Sequence, residues 1–271
     1  MRAALRFAAV LGSSAAMAAF STGAAFAADA WDEIRGSVFG TRAIEDGRGV
    51  ITLSAPNRPE DMRAVPISVD AKFAGGRTIK TVTFLIDENP TPVVAVFHMG
   101  AQREAVSLKA NFRVDRQSDV RAVVEADDGK LYMVSQLVKF AGGQASCSAP
   151  PQGDPAEIAA NMGKMQFEEV ASGEAATKTV ARGKLTMNHP NHTGMVLDQM
   201  TLLYTPLKIV TNVTARSGED TLFTAEGSIG LSQNPQIEFD FKRSTSQDLE
   251  VSFKDSDGGS WTKKFPFGPQ S

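Results

Sequence analysis

The feature that most constrains this chain is a hydrophobic period of two. Val65, Ile67, Val69, Ala71 and Phe73 alternate with polar or neutral residues. In extended backbone that spacing puts every apolar side chain on one face of a strand. Further runs of the same texture, several rich in β-branched residues, cover 78–86, 93–99, 105–112 and 120–126. Asp127-Asp128-Gly129 then turns the chain into the run 131–140, a hairpin signal. Six or seven short strands separated by turn residues, with no long helical period, predict an antiparallel sandwich.

The pattern stops near Gly142 and resumes near Val180. Strand-like runs at 180–187, 207–215, 221–225 and 237–241 are followed by a final hairpin. In it Leu249, Val251 and Phe253 face one side, Asp255-Ser256-Asp257-Gly258-Gly259 turns, and Trp261, Phe265 and Phe267 return. Between the two β regions, Gly142-Gly143-Gln144-Ala145-Ser146-Cys147-Ser148-Ala149-Pro150-Pro151 is small and turn-rich. Such a stretch cannot bury a core, so it reads as a linker or a functional arm. Asp154-Pro155 has the form of an N-cap with Pro at the first helical position, which predicts a short helix from Pro155 to about Met165. A structureless connection of roughly thirty residues is unusual inside one domain. The expected fold is therefore all-β: two antiparallel β-sandwiches, at 28–143 and 176–271, joined by a flexible linker at 144–175 with a short helix. Trp31, Ile34, Val38 and Phe39 recur at helical spacing and predict a short helix opening the first unit.

Residues 1–27 read as an export signal rather than as part of the fold. Arg2 and Arg6 precede a weakly apolar run, and Ala25-Phe26-Ala27 is a small-x-small cleavage site. The run is too interrupted to span a membrane, so the expectation is a periplasmic protein without membrane insertion. Of 271 residues, 28 are Lys or Arg and 31 Asp or Glu, a net charge of −3 that builds no field for a nucleic-acid partner. One Cys excludes an internal disulfide framework and a Cys-rich metal site.

Cys147 is the one side chain able to form a thiol adduct. Its small neighbours predict exposure, and no Lys, Arg or His lies within six residues to lower its pKa. The expectation is an accessible thiol of ordinary pKa, open to Cys147-linked dimers in an oxidising compartment. The competing reading is an incidental cysteine. His189 and His192 form His-x-x-His, with Asp198 or His98 as a conceivable third ligand. Pro190 breaks any helical face between them, so no metal is assigned there. His98 ends an apolar run and reads as a hydrogen-bonded core or edge histidine. Asp255 and Asp257 read as turn chemistry rather than a calcium loop. Ser228 and Ser232 lack partners at triad spacing, no phosphate-loop or dinucleotide motif occurs, and no cofactor is expected.

Several local patterns together resemble the two subunits of the bacterial sulfur-oxidation carrier SoxYZ, fused in one chain. The first half resembles SoxY at Pro59-Glu60-Asp61 with Val65-Pro66, at Glu88-Asn89-Pro90-Thr91-Pro92, at Phe97-His98, and at the closing strand leading into Gly142-Gly143. The second resembles SoxZ at His189-Pro190 with Thr193-Gly194, at Ser232-Gln233-Asn234-Pro235, and at Asp255 with Asp257-Gly258. Fused carriers of this layout are associated with quinoprotein dehydrogenases. The resemblance implies immunoglobulin-like sandwiches that pair within the chain, and no enzymatic activity. It also implies an arm hinged at Gly142 and Gly143 whose cysteine holds sulfur intermediates, such as those from thiosulfate, for partner enzymes. SoxY ends in Gly-Gly-Cys-Gly-Gly. Here Cys147 sits three residues further on, Ser148-Ala149-Pro150 replaces the trailing glycines, and the arm is no longer a free end.

Three functions follow for test. The first is a periplasmic carrier that holds a sulfur group or other small group on Cys147 and presents it to redox or sulfur-processing enzymes. The second is a docking module for a quinoprotein dehydrogenase or cytochrome c, without covalent cargo. It replaces the first if Cys147 is inaccessible in the folded monomer. The third is a metal-dependent hydrolase or lyase using the histidines.

Overall fold

The alternating runs fold as strands whose burial follows the alternation. In the computed structural model, which describes residues 25–100, 103–140, 142–170, 180–242 and 248–266, Val65, Ile67, Val69 and Ala71 are buried while Pro66, Asp70 and Lys72 face solvent. The first half supplies β1 (Ile44–Asp46), β2 (Ile51–Ser54), β3 (Val65–Lys72), β4 (Ile79–Ile86), β5 (Val93–Met99), β6 (Ala105–Phe112), β7 (Ser118–Ala126) and β8 (Leu131–Val138). The second supplies β9 (Met165–Val170), β10 (Val180–Met187), β11 (Val210–Ser217), β12 (Asp220–Gly227), β13 (Gln236–Lys242), β14 (Leu249–Asp255) and β15 (Ser260–Phe265). The protein is all-β, with two helices, α1 (Ala25–Phe39) and α2 (Pro155–Asn161), among the described residues.

The strands form two sheets, and both run through both halves. One has the order β1-β8-β7-β4-β5-β12-β11-β14-β15, the other β2-β3-β6-β13-β10-β9. The halves meet at two antiparallel seams. In β5–β12 Phe97 faces Ala225, and in β6–β13 Ala110 faces Ile237. Beyond the expected apolar contact between the two sandwich units, their sheets also join edge to edge by backbone pairing. Each half would otherwise leave an unpaired strand edge, and pairing satisfies those backbone groups. The core is continuous as well. Phe84 meets Phe97 at 5.7 Å between ring centroids, Phe97 meets Phe223 at 5.5 Å, and Phe223 meets Phe239 at 5.0 Å.

Three local expectations need correction. The segment 144–175 is not a structureless linker, because Met165–Val170 pairs with β10 as an edge strand. Phe167 lies against Phe239, Phe241 and Phe265, and Gly183 of β10 leaves room for its ring, where a Cβ would lie 2.2 Å from it. Secondly, α2 is capped as expected, Asp154 Oδ1 accepting from Ala156 N at 2.8 Å and Glu157 N at 3.1 Å. It ends at Asn161, however, because Met162 is extended and Gly163 takes φ +82° under the Trp261 ring. Thirdly, the strand expected from Leu207 starts at Val210. The first helix runs through Ala25–Ala27 to Phe39, and Ile34 and Phe39 pack on Leu85, Val123 and Leu131. Residues 1–24 of the expected signal, and Phe267, lie outside the described residues.

Candidate functional site

Cys147 lies on a single turn of 3₁₀ helix, Ser146–Ser148, in the segment that leaves β8. It is fully buried. The expectation of an exposed thiol is therefore overturned. The small residues that suggested exposure instead let the turn sink into the seam between the halves. Gly142 and Gly143 stand before it at φ +99° and +95°, a conformation that favours glycine, with open space around both.

Groups from both halves close over the turn. From the first half, Asp115 Oδ1 accepts the Cys147 N–H at 2.8 Å. From the second, Thr193 Oγ1 donates to the Cys147 carbonyl at 2.6 Å. Further along, Gln233 clasps the Gln152 backbone, accepting its N–H at 2.7 Å and donating to its carbonyl at 2.8 Å. Asp115 is itself oriented by Asn89, which accepts its N–H at 2.9 Å and donates to the Arg113 carbonyl at 2.8 Å.

The second half is braced in the same way. The His189 N–H donates to Asn234 Oδ1 at 3.0 Å, and the Asn234 N–H to the His189 carbonyl at 2.9 Å. Asn191 donates to the Leu231 carbonyl at 2.6 Å and accepts from Val210 N at 2.8 Å. Asn191 and Asn234 both take positive φ, which asparagine tolerates better than most residues. The stretches around Asn89, Thr193 and Gln233 thus converge on one short segment.

The surroundings of the thiol are polar. Cys147 belongs to neither apolar cluster of the core. Burial pushes its pKa up, the Asp115 charge adds to this, and Arg113 opposes it, leaving the thiol at about 12. An ordinary thiol pKa is thus overturned too. Arg113 is brought down to about 10 by burial, partly offset by Cys147. Its Nη1 donates to the carbonyls of Ile229 and Leu231 across the seam. Arg113 Nε, Ser146 Oγ, His192 Nδ1 and Ser232 Oγ are buried without a hydrogen-bond partner.

The three histidines do separate things. His189 is buried and its Nε2 lies 3.4 Å from Asp255 Oδ2. Burial holds it below the ordinary imidazole range although Asp255 pulls the other way. His192 is half-buried and also held down, first by burial, then by Arg113 and Lys208. His98 is half-exposed on β5 and pairs with Glu226 of β12 at 3.2 Å, an inter-half seam contact.

Asp198 caps its own turn, accepting from Met200 N and Thr201 N. Asp255 accepts from Asp257 N at 3.0 Å and Gly259 N at 2.6 Å, the turn chemistry expected of it. Ser228 donates to the Val94 carbonyl. Among the described residues no group of three His, Cys, Asp or Glu side chains is placed to hold a metal ion.

Sequence reasoning missed Arg113, Asp115 and Thr193 as companions of Cys147, since they lie tens of positions away and no local motif links them. It also missed an exposed apolar loop. Between β10 and β11, Leu197 bridges to Tyr204. Met200, Leu202, Leu203 and Tyr204 around the tip are between 66% and 94% exposed. Of the exposed large apolar side chains among the described residues, all but Val38 and Leu137 lie on this loop. Thr193, at its base, is the residue that bonds Cys147. No helix among the described residues is long and apolar enough to cross a membrane.

Comparison with protein-family models finds two matches, sulfur oxidation protein SoxY over residues 35–144 and sulphur oxidation protein SoxZ over residues 170–266. These are the families, in the order, that the local patterns resemble, and Cys147 lies just beyond the end of the first match. Among solved structures, the sulfur carrier protein SoxY from Chlorobium limicola f thiosulfatophilum is 26% identical. That match covers 42% of this chain and 97% of the other, with a TM-score of 0.33. A superoxide reductase (neelaredoxin) from Ignicoccus hospitalis is 10% identical over 40% of this chain and 90% of its own, with a TM-score of 0.28. No curated protein matches.

Proposed function

Because this chain belongs to the SoxY and SoxZ families of sulfur-oxidation proteins, joined in one polypeptide, we propose that it is a non-enzymatic SoxYZ-type module of an exported redox system, and that in its folded resting state it docks partners rather than displaying a free thiol. The observation that carries this reading is the complete burial of Cys147 under contacts from both halves. The exposed loop 197–207 supports it, since apolar side chains clustered at a surface mark an interaction site. The partners are sulfur-processing enzymes, or a quinoprotein dehydrogenase or its cytochrome c. The compartment is the periplasm, reached by the signal in residues 1–27. Co-purification with the purified dehydrogenase or cytochrome tests the reading. Cys147→Ser should retain the partner, whereas Leu202→Asp with Leu203→Asp should lose it. Loss in Cys147→Ser alone would overturn it. N-terminal sequencing of the exported protein should begin at or near Ala28, and a Met1 start would refute export by this signal.

A second reading has its own support. The thiol sits among Asp115, Arg113 and Ser146 rather than in the apolar core, an unusual place for an inert cysteine. On this reading Cys147 is a guarded attachment point for a sulfur group, released when 142–152 swings out about Gly142 and Gly143. The native mass of the exported protein decides. An adduct on Cys147 establishes the guarded carrier and identifies its cargo, while an unmodified mass in every growth condition leaves the docking reading alone.

A further inference from the structure

His189 and His192 stand in the same short stretch as Thr193, whose hydroxyl holds the Cys147 carbonyl at 2.6 Å. The geometry of that stretch suits neutral rings. The His189 side chain is wholly buried, and its Nδ1 accepts the Asn191 N–H at 3.0 Å. Only an unprotonated ring nitrogen can accept, so the ring carries its one proton on Nε2, toward Asp255 Oδ2 at 3.4 Å. A second proton, on Nδ1, would set N–H against N–H.

The charges facing the two rings decide the same way. Asp255 of β14 favours a cation, but its Oδ2 already lies 3.7 Å from Lys208 Nζ, which Asp257 also holds at 3.1 Å. A protonated His189 would put two cations on one carboxylate oxygen. Its ring neighbours Phe253 of β14 and Trp261 of β15 are aromatic. The charges acting on His192 are the cations Arg113 and Lys208, and its Nδ1 is buried without a hydrogen-bond partner. Burial accordingly holds both rings below the ordinary imidazole range. Asn191, between them, ties the stretch to the fold through the Leu231 carbonyl at 2.6 Å and Val210 N at 2.8 Å. Losing its N–H bond to His189 therefore loosens the backbone that positions Thr193. On the other side, Gly142 and Gly143 leave the Cys147 turn open space in which to move.

We propose that the stretch 189–193 is an acid-sensitive latch: protonation of His189 and His192 opens it, withdraws Thr193 from the Cys147 carbonyl and uncovers the thiol while both sheets stay folded. The inference rests on the burial of Cys147 and not on either use of it, so co-purification and native mass test those uses independently. A histidine held neutral in the closed latch and ordinary in the open one favours opening about tenfold per pH unit below about 6.5. The closed state is thus lost as pH falls.

The test is labelling of the full chain, whose one thiol is Cys147, with 4,4′-dithiodipyridine, a disulfide that reacts with thiols in acid as well as at neutral pH. Each rate is divided by that of the urea-unfolded chain at the same pH. In wild type this ratio should rise about tenfold or more from about pH 7 to about pH 5. Adding about 0.5 M urea should change it little, because local opening exposes little surface. His192→Gln should reduce the rise. His189→Asn, which keeps an acceptor near Nδ1 but cannot protonate, should abolish it when combined with His192→Gln. An equal ratio at both pH values in wild type overturns the proposal. So does a rise that steepens with urea as global unfolding does, or one undiminished in both variants. If the double variant does not fold, the wild-type ratio and its urea dependence decide.

Discussion

At the residue scale, the chemistry of Cys147 is set by groups that the fold brings to it. Asp115 accepts its N–H and, as a charge, opposes its ionisation. Asp115→Asn keeps an acceptor oxygen and removes the charge, so the thiol pKa should fall below about 12. The pH profile of native labelling should move down accordingly. Asp115→Ala leaves the N–H unsatisfied and should destabilise the fold by about 1–3 kcal/mol in urea titration while speeding labelling.

The raised thiol pKa also has a stability consequence. The unfolded thiol ionises near its ordinary pKa of about 8.5 while the folded one stays protonated, so stability falls as pH rises from there toward the folded value. The urea midpoint of wild type should therefore decline more steeply than that of Cys147→Ala above about pH 9. The histidines act at the other end. His189 and His192 are held below their ordinary range, so the unfolded chain takes up protons first on acidification. Stability should fall as pH drops below about 6.5, and His192→Gln should flatten part of that limb.

At the scale of elements, the loop 197–207 and the Cys147 turn meet at Thr193. Its hydroxyl donates to the Cys147 carbonyl and accepts from Met195 N at 3.2 Å. Thr193→Val removes the donor from a buried carbonyl. It should cost about 1–3 kcal/mol and raise the rate of Cys147 labelling in native buffer. The loop tip should behave differently. Leu202 and Leu203 are exposed, so Leu202→Asp with Leu203→Asp should change the unfolding free energy from urea titration by no more than about 0.5 kcal/mol per site while abolishing partner capture. A large loss of stability would show that the loop is packed rather than presented.

At the scale of the molecule, the two families are merged by backbone pairing at β5–β12 and β6–β13 and by a shared aromatic core. Such a body should unfold in one transition. A protease site inserted between Val170 and Val180 and then cut should leave the two fragments co-eluting at micromolar concentration in gel filtration. Fragments that separate without denaturant would show that the seams are weak.

The period of two was enough to place most strands, because alternation is a local consequence of burying one face. Val180–Met187, Val93–Met99 and Ala105–Phe112 begin and end where the pattern does. Asp154-Pro155 likewise announced its own helix cap. Pairing is not local: nothing in the residues of β5 or β6 says that its neighbour comes from over a hundred positions later. Cys147 shows the same limit. Its small neighbours are compatible both with an exposed arm and with a turn that packs closely. What chose burial was the arrival of Asp115 and Thr193 from opposite halves, each with a hydrogen bond that only the assembled seam could offer.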